Sequence, residues 1–186
     1  MSFFTTYSKK LEDFIAVVIF LITFTVYFST MAPTVSFWDT GEFIATSHIL
    51  GVPHPPGSPL FLLVGKFFSL IPISGDIAFR VNIFSPIISA LTISLLFLIT
   101  NQFIDRVAPR DDNKFFKMWS SLTASLTFAF THSHWFNAVE TEVYAFSGFM
   151  TALVIYLIMH WSKNIHNSNH VMYLSLIHIS EPTRQC

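Results

Sequence analysis

The sequence predicts an all-α, polytopic integral membrane protein with about four transmembrane helices and further interfacial helices in a long first outer loop. Two observations carry this. Of the 186 residues 52% are hydrophobic and 11% charged, with 22 Phe and a mean hydropathy of +0.56. The chain also holds four uncharged apolar stretches, Phe14 to Met31, Ile83 to Thr100, Met118 to Phe136 and Val143 to Trp161. Each is long enough to cross ~30 Å of hydrocarbon as a helix, which satisfies its own backbone hydrogen bonds in lipid. A net charge of -1 and the lack of a basic stripe interleaved with aromatics exclude nucleic acid as a partner. The one cysteine, Cys186, excludes an intrachain disulfide.

The first stretch follows Lys9 and Lys10, as a secretory leader does, but it is too long and Glu12-Asp13 abut it, so it reads as a span. Gly57 to Ile73 is ambiguous, because Leu60 to Val64 and Phe67 to Ile71 are apolar while Lys66 sits between them. Charge asymmetry decides it. With four spans and no crossing here, Lys9, Lys10, Arg106, Arg110, Lys114, Lys117 and Lys163 share the cytoplasmic side and only Lys66 and Arg80 face outward. Residues 32 to 82 then form one outer loop along the membrane surface, with Lys66 snorkelling to the headgroups. The third stretch ends in His132 and His134, and the fourth follows Glu140 and Glu142 on the outer face.

Within the outer loop a short helix is expected over Thr40 to Leu50, stopped by Gly51 as its C-terminal cap and by Pro53 beyond. Around it lie the two most informative motifs, Trp38-Asp39-Thr40-Gly41-Glu42-Phe43 and Val52-Pro53-His54-Pro55-Pro56-Gly57-Ser58-Pro59-Leu60. They place two carboxylates and a proline-held histidine beside a membrane, where ionisable groups are costly and mark function. Asp39-x-x-Glu42 also has the form of a capping box, a structural role that can coexist with a catalytic one. His54 is a site histidine or a polar turn residue. His132-x-His134 with Glu140 offers metal-ligand types, but on a helix that spacing splays the two rings. No metal is assigned there. No cofactor is demanded by the sequence, although a divalent cation is compatible with it.

Trp-Asp-x-Gly-Glu-Phe, His-Pro-Pro-Gly-x-Pro-Leu and Glu142-Val143-Tyr144 resemble the bacterial domain-of-unknown-function 2723 family. That family is similar to the transmembrane protein 260 O-mannosyltransferases and, more distantly, to GT-C membrane glycosyltransferases. The resemblance covers most of residues 30 to 161. It implies transfer of a sugar, such as mannose, from a polyprenyl-phosphate donor to a protein or glycan acceptor on the non-cytoplasmic face. The implied membrane is the bacterial inner membrane with the site facing the periplasm, or alternatively the endoplasmic reticulum. By resemblance Asp39 matches the first-loop catalytic base, with Glu42 and Glu142 as further catalytic carboxylates. His54, Arg80, Lys66 and Tyr144 are the substrate-binding candidates. Arg80 and Lys66 are the basic residues of that face and would hold the donor phosphate, or else anchor the loop at the interface. The rival reading is a transporter or a non-catalytic assembly subunit. Transporters place ionisable groups at mid-membrane, whereas here the spans lack acidic and basic residues.

Residues 1–173 are expected to be the N-terminal part of a multi-pass glycosyltransferase-like domain. Residues 174–186 are expected to be a non-native tail, because Leu174 to Arg184 resembles the translation of a sequencing-library adapter.

Overall fold

The computed structural model describes residues 2–55, 57–108 and 114–163, so residues 174–186 and Arg110 lie outside the described residues. Every element among the described residues is helical: α1 Ser2–Thr30, α2 Thr40–Ile49, α3 Pro59–Leu70, α4 Ile77–Asn82, α5 Phe84–Val107, α6 Lys114–Ala129, α7 His132–Ala138 and α8 Val143–Lys163. Three stretches are long and apolar enough to cross a membrane: Lys9–Thr30, Ile77–Val107 and Val143–Ser162. The protein is thus an all-α membrane protein, as its composition predicts.

Four helices run alternately up and down between two poles. At one pole Lys117 at the start of α6 pairs with Glu12 of α1 at 3.1 Å and with Asp105 at the end of α5 at 2.8 Å. There too Arg106 donates to the Met159 carbonyl of α8 at 2.8 Å. At the opposite pole the Tyr27 hydroxyl of α1 donates to the Ala129 carbonyl at the end of α6, 2.9 Å away. Between the poles, Ser94 of α5 donates to the Ala16 carbonyl of α1 at 2.9 Å. Ile19, Ile93, Phe97 and Ala129 fill the space around it. Burying such side chains is worth roughly 1.5–3 kcal/mol each against exposure to water, but inside a bilayer the close fit of small residues matters more.

The third expected span, Met118 to Phe136, is not one helix. It breaks at Phe130-Thr131 into α6 and α7, leaving α6 at 16 residues, about 24 Å at 1.5 Å per residue. Thr131 is extended, with φ -67° and ψ 143°, and its carbonyl accepts from Trp135 at 3.0 Å. The polar run Thr131-His132-Ser133-His134 gives the chain local hydrogen bonds with which to leave one helix and start another.

The outer-loop helices gather at the second pole. α3 has 12 residues, about 18 Å, too short to cross. Its Phe61 and Phe68 pack with Phe43 of α2, Phe84 of α5 and Phe146 of α8. α2 lies so close to α3 that a Cβ added at Gly65 would sit 2.4 Å from the Ser47 hydroxyl oxygen and 2.8 Å from its Cβ. Glycine is what permits that approach. At the end of α2 the left-handed residue is Leu50, φ 54°, one position before the expected cap Gly51. Gly51 serves close packing instead, since a Cβ there would press on the Ile49 side chain at 3.3 Å.

Candidate functional site

The second pole carries Asp39, Glu42, Glu140 and Glu142, and two of the segments that bear them are tied together by one asparagine. Asn82, at the end of α4, is fully buried. Its Nδ2 donates to the Ala32 and Thr34 carbonyls at 2.9 Å each, and its Oδ1 accepts from the Thr141 hydroxyl. This fixes the stretch that leads into Asp39 against the one that leads into Glu142. Asn82 and Thr141 escape notice in the sequence. The one available signal is a lone amide set directly before an apolar span.

Glu42, on the first turn of α2, does not close a capping box. Its Oε1 accepts the His54 backbone N–H at 2.7 Å and its Oε2 meets His54 Nδ1 at 2.8 Å. Asp39 likewise makes no side-chain cap bond. Its carboxylate instead turns toward the other face of the imidazole, with Oδ2 4.0 Å from Nε2. The Pro53-His54-Pro55 turn therefore projects the ring between the two carboxylates, where it also lies over Phe43 at 5.7 Å between centroids. Tertiary pairing across twelve residues has displaced the local cap.

The hydrogen bond to His54 holds the Glu42 carboxyl below the usual range, and the same bond pushes His54 above the ordinary histidine value, assisted by the charges of Glu42, Asp39 and Glu142. The depressed Glu42 contributes stability that is present above 4.5, its unshifted value, and is lost as pH falls through its folded value. The raised His54 contributes stability that is present below 6.5 and is lost as pH rises through its folded value. The pair is at full strength between those limits. Glu42→Gln should accordingly lower the His54 pKa toward the ordinary value of about 6.5, read from the imidazole proton shifts in chelator-containing buffer. An unchanged titration would mean that the two side chains do not meet.

Glu142 sits behind this exposed pair and is 7% exposed. Burial raises its pKa, and the neighbouring charges of Asp39 and Glu140 raise it further. The Thr40 hydroxyl reaches its Oε1 at only 3.5 Å. Glu140 is held by Ser36, whose hydroxyl donates to its Oε1 at 2.5 Å. Both glutamates lie in the non-helical stretch between α7 and α8, so their two-residue spacing does not set them on different helix faces. Tyr144, on the first turn of α8, is 72% exposed.

The two basic candidates are engaged elsewhere. Lys66 does not reach outward as expected from its place in an amphipathic stretch; its amine donates to the His48 carbonyl at 2.5 Å. There it complements the negative end of the α2 dipole, at the far end of that helix from Asp39 and Glu42. Arg80 donates through Nε to the Ser74 carbonyl at 2.5 Å and through Nη1 to the Ser69 carbonyl at 3.2 Å, bracing the turn between α3 and α4. His132 and His134 do not converge with Glu140: His132 stacks on Phe136, and His134 packs at a tilt against Phe128. Among the described residues, Asp39, Glu42 and His54 are the cluster with a metal-compatible arrangement.

The residues before the site are unusual in conformation and exposure. Trp38 adopts φ 60°, a left-handed backbone that a bulky residue seldom takes. Trp38 and Phe37 are 84% and 82% exposed. An aromatic pair thus stands beside the carboxylates with its faces open.

Comparison with known proteins agrees with this placement of motifs. The family model described as Protein O-mannosyl-transferase TMEM260 N-terminal domain matches residues 39–180. The Protein O-mannosyl-transferase tmem260 of Dictyostelium discoideum is 27% identical over 151 residues, covering 80% of this chain and 17% of that protein. The Protein O-mannosyl-transferase TMEM260 of Mus musculus is 28% identical over 149 residues, covering 80% of this chain and 20% of that protein. The chain therefore spans a fifth or less of the length of these curated relatives. No solved structure matches it. With the match running from Asp39 through all the carboxylates of the second pole, the chain belongs to the Protein O-mannosyl-transferase TMEM260 N-terminal domain family.

Proposed function

We propose that this chain supplies part of the active site of a membrane glycosyltransferase that moves a sugar, mannose by the names of its relatives, from a polyprenyl-phosphate carrier to a protein hydroxyl. The observation that carries the reading is the convergence of Asp39, Glu42 and His54 at one pole of an apolar helix bundle, with buried Glu142 behind them. A lipid-linked donor has its phosphate at that depth. In the transfer step the acceptor oxygen forms a bond to the anomeric carbon, the bond from that carbon to the phosphate oxygen breaks, and polyprenyl phosphate leaves with the electron pair. The hydroxyl proton passes to the Asp39 carboxylate, the group with most side-chain exposure in the cluster at 60%. Single displacement inverts the anomeric centre. Trp38 offers a ring face to the sugar and Tyr144 a hydroxyl, while the Arg80 guanidinium, held by the Ser69 and Ser74 carbonyls, offers positive charge to the phosphate.

The positive-inside distribution supports a non-cytoplasmic site. A lumenal site in the endoplasmic reticulum fits the two eukaryotic relatives, and a periplasmic site in a bacterial inner membrane would present the same face. The test is transfer from polyprenyl-phosphate mannose to protein in membranes containing the full-length protein that carries this segment. Mannose incorporation above that of membranes without the protein is the expected result. No incorporation by well-expressed, folded protein would overturn the reading and return the transporter or assembly role to first place.

A further inference from the structure

Asp39, Glu42, Glu140 and Glu142 gather at one pole, and neither nearby basic residue answers them, because Lys66 and Arg80 donate to backbone carbonyls. His54 is the one group of the cluster that can carry positive charge. Glu142 is the sharpest case: it is 7% exposed, Asp39 and Glu140 act on it as like charges, and its side-chain partner among the described residues is the Thr40 hydroxyl at the limiting distance of 3.5 Å. Glu140 Oε2 is buried with no partner among the described residues. Burying carboxylates in such company is costly unless a cation shares the site.

The geometry supplies a place for one. His54 Nε2 and Asp39 Oδ2 lie 4.0 Å apart. That is too far for a hydrogen bond, yet two ligands each about 2.1 Å from one ion can stand up to about 4.2 Å apart. Glu42 meets Nδ1 of the same ring at 2.8 Å, which fixes the tautomer so that Nε2 presents its lone pair, the arrangement in which carboxylates orient metal-binding histidines. One ligand atom from each of the three residues lies within 4.8 Å of the others. We infer that Asp39 and His54, with Glu42 orienting the imidazole from its Nδ1 side, bind a divalent cation whose charge also offsets buried Glu142. One imidazole, the Asp39 carboxylate and water oxygens suit Mn²⁺, with coordination positions left open on the exposed side. Use of those positions for a donor phosphate oxygen rests on the transferase reading above; binding of the ion does not.

The experiment is a Mn²⁺ titration of the chain in nanodiscs, after chelator treatment, followed by electron paramagnetic resonance. One saturable site is expected, with a ¹⁴N coupling from the histidine visible in spin-echo modulation. His54→Gln should abolish that coupling and weaken binding at least tenfold, and Asp39→Asn should weaken it by as much. Glu42→Gln, which removes the orienting charge, should cost about 10- to 100-fold. His54 is on an exposed turn, so its variant tests the site independently of the Asp39 variant. Absence of saturable binding, or equal binding by wild type and His54→Gln, overturns the inference. Mannose transfer without Mn²⁺ binding would overturn the ion alone, and binding without transfer would overturn the transferase alone.

Discussion

Asp39→Asn in the full-length protein is expected to lower sugar transfer by about 10²- to 10⁴-fold, the usual cost of losing a general base, while leaving the fold intact. The two halves of that expectation have separate grounds. Asparagine keeps the size of aspartate and cannot accept a proton from the acceptor hydroxyl. As for the fold, the Asp39 side chain is 60% exposed and makes no cap hydrogen bond to α2, so it offers little stability to lose, and asparagine caps a helix as well as aspartate does. Initial rates from polyprenyl-phosphate mannose, set beside expression level and thermal midpoint, make the measurement. Turnover near wild type would remove Asp39 as the base and pass the role to Glu142, the buried carboxylate behind it, whose pKa burial raises.

The parts of the structure legible in the sequence are those that depend on local averages. Hydropathy placed the second span at Ile83, and α5 begins at Phe84; it placed the fourth at Val143, where α8 begins. Proline and glycine bracketed α2 and α3 to within a residue or two. What failed depends on contacts between distant segments. The window over Met118 to Phe136 is uniformly uncharged, so hydropathy has no means of sensing the break at Phe130-Thr131. Asp39-x-x-Glu42 satisfies the capping-box pattern, but a pattern confined to four residues ignores His54, which offers Glu42 both a backbone and a ring N–H. Two bonds to one carboxylate, one of them from an imidazole whose proton that carboxylate favours, outweigh the single bond Glu42 would make in a cap. For the site, the sequence supplied the residue types; it did not show that Lys66 and Arg80 turn to carbonyls, because a basic side chain near a phosphate site and one bracing a turn look alike in one dimension.

Asn82→Ala is expected to cause the largest loss of stability of any single polar substitution at this pole. The buried amide makes three hydrogen bonds, two as donor to Ala32 and Thr34 and one as acceptor from Thr141. Alanine strands all three partners, Thr141 being fully buried. An unsatisfied buried polar group costs about 1–3 kcal/mol; even if water reaches the two carbonyls, a total of roughly 3 kcal/mol follows. Thr141→Val removes one bond and leaves Asn82 Oδ1 unpaired, so about 1–2 kcal/mol is the expected cost. Both are read as falls in thermal midpoint in nanodiscs, and a shift within error for Asn82→Ala would show that the amide does not bridge these segments. The consequence for the site separates this residue from Asp39. Asn82 ties the stretch entering Asp39 to the stretch entering Glu142, so its loss should depress transfer in step with stability, and lower temperature should restore much of the activity. Asp39→Asn should stay inactive at every temperature at which it is folded, because there the scaffold is present and the Asp39 carboxylate is gone.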